Sequence, residues 1–382
     1  MPYSIDLEPH GYYIVGNRVF LNKTEAVYEA SVTKQDLRWN FHDDCWGAVN
    51  WTKCPTDDLR SLYKQRAQQI RDQYDHIVLM FSGGMDSWTM LHSFFSNNIH
   101  VDEVWTNWPL AQLKWNTVTP TNFSEVNIIS EFKYAVLPVL EHIKKTYPAT
   151  KITINDYSKE LEKEYTHKIF MSSNNWQTPT TTFRNGGTST IFENTLSKEK
   201  RVACIHGLEK PRLTLQDNKL YGFFIDVYSG TNSNIAHNNE FFYTSRDFPD
   251  VTIAQVHAIK DYLLENNGML HVRKTNPGRN EWNEVFRSAC YPDYGADTFQ
   301  VGKSLGSKIK LSDNWVSAYN KKYIEGWQWT LGQYYDSIDD KFLRFDKTDS
   351  EILGLESIKS KLYLIDDNFV CPGVNFNVAG FA

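Results

Sequence analysis

With 382 residues, 41% hydrophobic and 23% charged, the chain has the composition of a globular enzyme. It is long enough for one large domain with appendages or two moderate ones. A formal net charge of −6 excludes a broad electrostatic attraction to phosphate backbones, although a local basic patch can act inside an acidic protein. Cys45, Cys54, Cys204, Cys290 and Cys371 form no C-x-x-C pair, no disulfide framework and no zinc spacing. Residues 1–7 carry no secretion signal, and no apolar run approaches the roughly 18 residues of a membrane span. A reduced, cytoplasmic protein is expected, in which the sequons Asn22-Lys23-Thr24 and Asn50-Trp51-Thr52 are chance matches. The high aromatic content, 14%, fits core and loop packing.

Gly11-Tyr12-Tyr13-Ile14-Val15 and Arg18-Val19-Phe20-Leu21 flank Gly16-Asn17, which predicts a β-hairpin. Residues 23–30 read as a helix. Thr56 is the expected cap of a second helix, with Asp57 and Asp58 in its first turn and helical spacing continuing through Leu62, Tyr63, Arg66 and Ile70 to about Tyr74. The apolar run 76–81 has strand length and the continuous hydrophobicity of a strand buried on both faces. It passes directly into Ser82-Gly83-Gly84, after which helical spacing returns from Asp86 and stops near Asn97-Asn98.

Residues 101–105 predict a second strand, 123–147 a helix broken or kinked at Pro138, 151–154 a third strand and 201–206 a fourth. Residues 212–215 and 220–226 predict a hairpin attached to the sheet, and 251–265 a helix. The stretch 172–200 reads as a long loop, and a helical segment is expected near 323–335. Alternating strands and helices predict an α/β fold with a doubly wound parallel sheet. The chain divides into an N-terminal hairpin-and-helix elaboration (1–75), an α/β domain (76–265) and an aromatic-rich C-terminal extension (266–382).

The segment Ser82-Gly83-Gly84-Met85-Asp86-Ser87 carries the chemistry. Two adjacent glycines let the backbone turn sharply and approach a ligand without a Cβ in the way. The loop opens a helix, so unpaired N–H groups and the positive dipole end converge on it, and Ser82 and Ser87 add hydroxyls. This is a cradle for a pyrophosphate-sized anion. A carboxylate at Asp86 would repel phosphates unless it holds Mg²⁺, directly or through water.

The stretch resembles the PP-loop ATP pyrophosphatase superfamily, whose motif is S-G-G-x-D-S at the end of the first strand. Members include GMP, NAD and asparagine synthetases, tRNA-lysidine and tRNA-thiolating enzymes, 7-cyano-7-deazaguanine synthases and PAPS reductases. The resemblance is specific over residues 76–110 and looser to about 265. It implies a HUP-type sheet and ATP as ligand, with the β–γ phosphates on Ser82, Gly83, Gly84 and Ser87 and Asp86 toward Mg²⁺. Met85 lies within the motif. Adenine would lie against Met80-Phe81 and Trp105-Thr106-Asn107, although Trp105 and Trp108 also read as plain core.

A second candidate, Ile205-His206-Gly207-Leu208-Glu209-Lys210-Pro211-Arg212, leaves the fourth strand at the carboxyl edge, where open α/β sheets bind ligands. Superfamily members often place a glycine-containing substrate or phosphate segment there, which points to Gly207. Lys210 and Arg212 can neutralise the α-phosphate or the leaving pyrophosphate, but they equally fit a solvated basic turn. His206 can polarise a substrate or be a satisfied strand-end histidine. Arg246-Asp247 is a weaker candidate for the same crevice, and Arg184 and Lys303 are weaker still. Gly302-Lys303-Ser304 is not a Walker A motif, because Asp297 occupies the position of its first glycine.

Within the superfamily, the expected activity is adenylation: ATP goes to AMP and pyrophosphate, and an acceptor oxygen is activated for nitrogen transfer, with a nucleobase or nucleotide among the expected acceptors. Sulfur transfer is disfavoured, because Cys371 in Val370-Cys371-Pro372-Gly373 lacks the Glu-Cys-Gly context of PAPS reductases and no cysteines cluster. Pro2 follows Met1, so the N-terminal glutaminase nucleophile is missing, and nitrogen would come from ammonia, an amine or a partner protein. The N-terminal and C-terminal elaborations are similar to those of phage-encoded PP-loop proteins. The other readings left open are an adenine-nucleotide sensor or scaffold without turnover, and a PAPS reductase-like enzyme. A homodimer rests on base rate alone.

Overall fold

The computed structural model describes residues 11–108, 110, 132–156, 158, 201–207, 211–226, 238–266, 285, 288–293, 337–345 and 352–371. Residues 123–131, 172–200 and 323–335, with the loop and helical segments expected there, lie outside this set.

The chain opens with β1 (Tyr12–Val15) and β2 (Arg18–Phe20), joined by Gly16-Asn17 with Val15 opposite Arg18. Gly16 takes φ +58°, as the first position of a tight hairpin turn requires. α1 (Lys23–Thr33) follows, capped by Asn22, whose side chain accepts from the N–H groups of Thr24 and Glu25. The Asn of the first sequon is therefore a helix cap. β3 (Leu37–Asn40) pairs with the other side of β1, and α2 (Asp43–Ala48) comes next; neither element was expected from the sequence.

α3 (Leu59–Gln73) is capped by Asp58 rather than Thr56: the Asp58 carboxylate accepts from the Ser61 N–H at 2.8 Å. A carboxylate is at least as good a cap as a hydroxyl, and it also meets the dipole end. β4 (His76–Met80), α4 (Met85–Phe95) and β5 (Glu103–Trp108) follow, with β5 starting and ending later than the apolar run indicated. A π-helical turn, Phe132–Val136, leads into α5 (Leu137–Thr146). Pro138 sits in the first turn of α5, directly after the π-helical turn, so the helical run changes type at the proline, as a break there predicts. Its missing N–H costs nothing there.

β6 (Lys151–Asp156) and β7 (Val202–His206) complete four of five parallel strands. The predicted hairpin, β8 (Arg212–Gln216) and β9 (Lys219–Phe223), turns through Asp217 and Asn218, both at positive φ. It does not extend the parallel sheet. The fifth strand is β10 (Asn238–Phe241), followed by α6 (Asp250–Glu265). β11 (Leu343–Phe345) pairs with β12 (Ile352–Leu355), and β13 (Tyr363–Asp366) pairs with β9 in a separate three-stranded antiparallel sheet.

The central sheet has the order β10-β7-β4-β5-β6, every pair parallel, with helices packed against it. This α/β arrangement is compatible with a Rossmann-like fold. Chain progression runs one way from β4 through β5 to β6 and the other way from β7 to β10, so direction reverses between β4 and β7. One sheet face (Ile77, Leu79, Val104, Ala203, Ile205) joins a core that includes Leu62 and Ile70 of α3, Met90 and Phe94 of α4 and Val256 and Ile259 of α6. The other face buries Val78, Trp105, Val202 and Cys204, with Met80 against them. Burial on both faces explains why β4 and β7 read as unbroken apolar runs.

Two buried ionic groups fasten the periphery. Arg66, fully buried on α3, gives Nη2 to Glu240 at 2.7 Å and to the Phe241 carbonyl at 2.9 Å. Lys23 lies 2.7 Å from Asp226, which also accepts from the Tyr13 hydroxyl and the Ile358 N–H. A buried charge without such partners would cost several kcal/mol, which is why both sites are fully networked.

Candidate nucleotide site

Strand pairing brings Met80 of β4 beside both Trp105 of β5 and His206 of β7. The 82–87 loop therefore emerges at the carboxyl edge, where strand order reverses, the usual position of ligand crevices in open α/β sheets. Gly83 has φ +84°, and a Cβ there would come within 2.6 Å of Val136 Cγ2. Backbone conformation and the π-helical turn both demand glycine at this position. Gly84 differs. Its φ is −73°, it caps α4, and a Cβ would meet nothing nearer than Ser82 Oγ at 3.6 Å. The fold itself leaves room for a side chain at Gly84.

The serines organise the loop. Ser87 Oγ donates to the Gly84 carbonyl at 3.1 Å and accepts from the Ser82 N–H at 3.1 Å. Ser82 Oγ lies 3.0 Å from it and accepts from the Gly84 N–H at 3.4 Å. Ser87 is buried and Ser82 exposed, so Ser87 holds the turn's shape from within and Ser82 stays open to solvent. No side chain caps α4, although Met85 and Asp86 open it. Its first N–H groups keep their capacity for an anion.

Asp86 is only half-buried. Its Oδ1 accepts from the Tyr291 hydroxyl at 2.5 Å, and its carbonyl accepts from the Tyr243 hydroxyl at 2.6 Å. Tyr63 stands behind them, donating to the Cys290 carbonyl at 2.6 Å and accepting from Gln255. Burial, reinforced by the nearby Asp86 charge, pushes all three phenols well above the usual tyrosine range, which keeps them O–H donors at neutral pH. Among the described residues no group of three His, Cys, Asp or Glu side chains can hold a metal. Asp86 fits Mg²⁺ in the way that ion is commonly held, by one or two carboxylates together with substrate phosphates.

Gly207 leaves β7 directly against the loop: a Cβ there would lie 2.9 Å from the Asp86 carbonyl oxygen and 3.0 Å from Ser87 Cα. Its glycine is required by close packing of this exit on the first turn of α4. His206, the last residue of β7, is buried, and its carbonyl accepts from the Phe242 N–H.

Phe81 is buried, and its N–H donates to the Trp105 carbonyl at 2.8 Å. Trp105 is buried with Val78 and Cys204, and its indole donates to Asn107. Trp108 is buried too and donates to Thr106 Oγ1. The indoles are thus core groups whose N–H donors are satisfied within their own strand.

Arg212 opens β8, in the antiparallel sheet. Arg246 follows β10 and approaches Nδ1 of His42 at 3.3 Å. Lys210, Arg184 and Lys303 lie outside the described residues. Tyr243 and Tyr291 escape a reading of the sequence, because nothing local links residues 157 and 205 positions away to Asp86; Tyr63 reads there only as a position on the helical face of α3. No family model, curated protein or solved structure matches the chain.

Proposed function

We propose that the 82–87 loop binds ATP with Mg²⁺ and that the protein cleaves it to AMP and pyrophosphate, activating an acceptor oxygen for nitrogen transfer. On this reading the sheet is a doubly wound, HUP-type sheet. The observation that carries it is the contrast between the loop's two glycines: packing demands Gly83, whereas Gly84 stands at an uncapped helix N-terminus without any steric need to be glycine. A ligand pressed against that backbone supplies the missing reason.

The residues then have distinct duties. Ser82, Gly83, Gly84 and Met85 present N–H and hydroxyl donors to phosphate oxygens, and Ser87 fixes the turn. Asp86 would hold Mg²⁺, which supplies charge neutralisation to the phosphates when bound. Met80-Phe81 and Thr106-Asn107 offer backbone edges to adenine. Gly207 keeps the β7 exit close, so that His206 and the segment carrying Lys210 and Arg212 can supply cationic or polarising groups toward the leaving pyrophosphate. The acceptor is a small molecule or nucleobase.

The test is thermal stability with ATP, AMP, ADP and GTP, each with and without Mg²⁺, beside Asp86→Ala. A ligand at about 100 times its Kd adds roughly 2.7 kcal/mol, a shift of a few degrees for a chain of this size. The expected result is a shift with ATP and Mg²⁺ that GTP does not match and that Asp86→Ala loses. No shift with any nucleotide at millimolar concentration would overturn the reading. Pyrophosphate release then separates an enzyme from a sensor that binds without turnover.

A further inference from the structure

The geometry points to Tyr291 as a positioning residue for Asp86: a side chain from the C-terminal part of the chain sets the carboxylate that opens α4, and with it the metal dependence of nucleotide binding. The inference rests on the ATP reading above and adds a residue that the loop motif does not contain.

Three observations support it. First, the Tyr291 hydroxyl donates to Asp86 Oδ1 across 205 positions of sequence. A carboxylate with one oxygen held by a fixed donor loses rotation about its last bond, so the plane in which its second oxygen can meet a cation is set in advance. Second, Tyr291 is itself immobilised. It is 2% exposed, and its ring packs 5.8 Å from that of Tyr243, whose hydroxyl holds the backbone carbonyl of Asp86. Backbone and side chain of Asp86 are thus gripped by adjacent phenols.

Third, the 288–293 segment is anchored on both sides of Tyr291. The Cys290 carbonyl accepts from Tyr63 of α3, the Cys290 thiol contacts the Gln255 carbonyl of α6, and Asp293 pairs with Arg60 at 2.8 Å. A purely space-filling residue here could be phenylalanine, since ring packing would be the same. The hydroxyl is what the site adds, and its described acceptor is the loop's only carboxylate.

The test compares wild type, Tyr291→Phe, Asp86→Asn and the double variant by calorimetric titration with a non-hydrolysable ATP analogue, with Mg²⁺, with Mn²⁺ and with chelator. Circular dichroism checks that each is folded. Tyr291→Phe is expected to bind the analogue in chelator as wild type does, while its metal-dependent gain in affinity falls about tenfold or more, the range found when partners of metal ligands are removed. In the Asp86→Asn background the same change should have no further effect, because Tyr291 acts through that carboxylate. Equal metal dependence in wild type and Tyr291→Phe, or a loss that persists in the Asp86→Asn background, would overturn the positioning role and leave the ATP reading standing. Failure of wild type to bind the analogue under any condition overturns both. Should Tyr291→Phe not fold, 3,5-difluorotyrosine at position 291 alters the donor without removing a contact. A changed metal-dependent gain supports the role, and an unchanged one overturns it.

Discussion

The two edges of the central sheet treat charge in opposite ways. At the amino edge, ionic groups neutralise one another. Arg71 donates to Asp102 at 2.6 Å, Asp102 accepts from the Ile77 N–H, buried Glu103 takes Lys151 and Thr153, and Asp75 pairs with Arg201. At the carboxyl edge, the 82–87 loop gathers N–H groups and hydroxyls beside one carboxylate, whose described partner is the Tyr291 phenol, while the Tyr243 phenol holds the backbone carbonyl of the same residue. One edge is closed on itself and supports the fold. The other opens on the first turn of α4, where the proposed anionic ligand would sit.

Asp102→Ala should have the largest effect on stability. It removes a guanidinium pair and a backbone N–H bond, each hydrogen bond to a charged group being worth about 1.5–3 kcal/mol, and urea unfolding would read the loss. Nucleotide-induced stabilisation should be unaffected. The same carboxylate gives a pH prediction. Burial alone would raise the Asp102 pKa, but the hydrogen bonds from Arg71 and the Ile77 N–H and the charges of Arg71 and His76 outweigh it, so the net shift is downward. A lowered folded pKa means that its contribution is complete above the unfolded value, about 3.9, and is lost as pH falls through the folded value. Stability measured from pH 6 downward should fall less steeply in Asp102→Ala than in wild type.

Gly83→Ala comes next. A non-glycine residue at φ +84° is strained by about 1–3 kcal/mol, and its Cβ would collide with Val136. Both the melting temperature and the ATP response should fall. Arg201→Met at the amino edge breaks an exposed pair with Asp75 and should cost under about 1 kcal/mol. Gly84→Ala, which exchanges one N-cap for a poorer one, should also cost no more than about 1 kcal/mol, yet it should abolish the ATP shift. If Gly84→Ala binds ATP as wild type does, the distinction between the two edges loses its functional meaning.

Much of this was legible in the residues. The hairpin at Gly16-Asn17, the strand–loop–helix at 76–95 and the hairpin at 212–223 follow from glycine, asparagine and apolar periodicity, which act locally. One error was a local competition decided by fine detail. Asp58 and Thr56 both suit a cap, and the Asp58 carboxylate takes the Ser61 N–H. β10 was missed because Asn238-Asn239-Glu240-Phe241 has little strand character of its own and pairs only because β7 offers an edge.

What the sequence by itself determined is the loop: two glycines, two serines and an aspartate between a buried strand and a helix, whose conformational freedom and donors are properties of those residues alone. Tertiary structure decided what surrounds it. The reversal of strand order between β4 and β7 places Gly207 against α4, and the docking of 288–293 brings Tyr291 to Asp86. Such contacts join residues more than 100 positions apart. No local periodicity encodes them, because they arise only when burial of the shared apolar core draws those segments together.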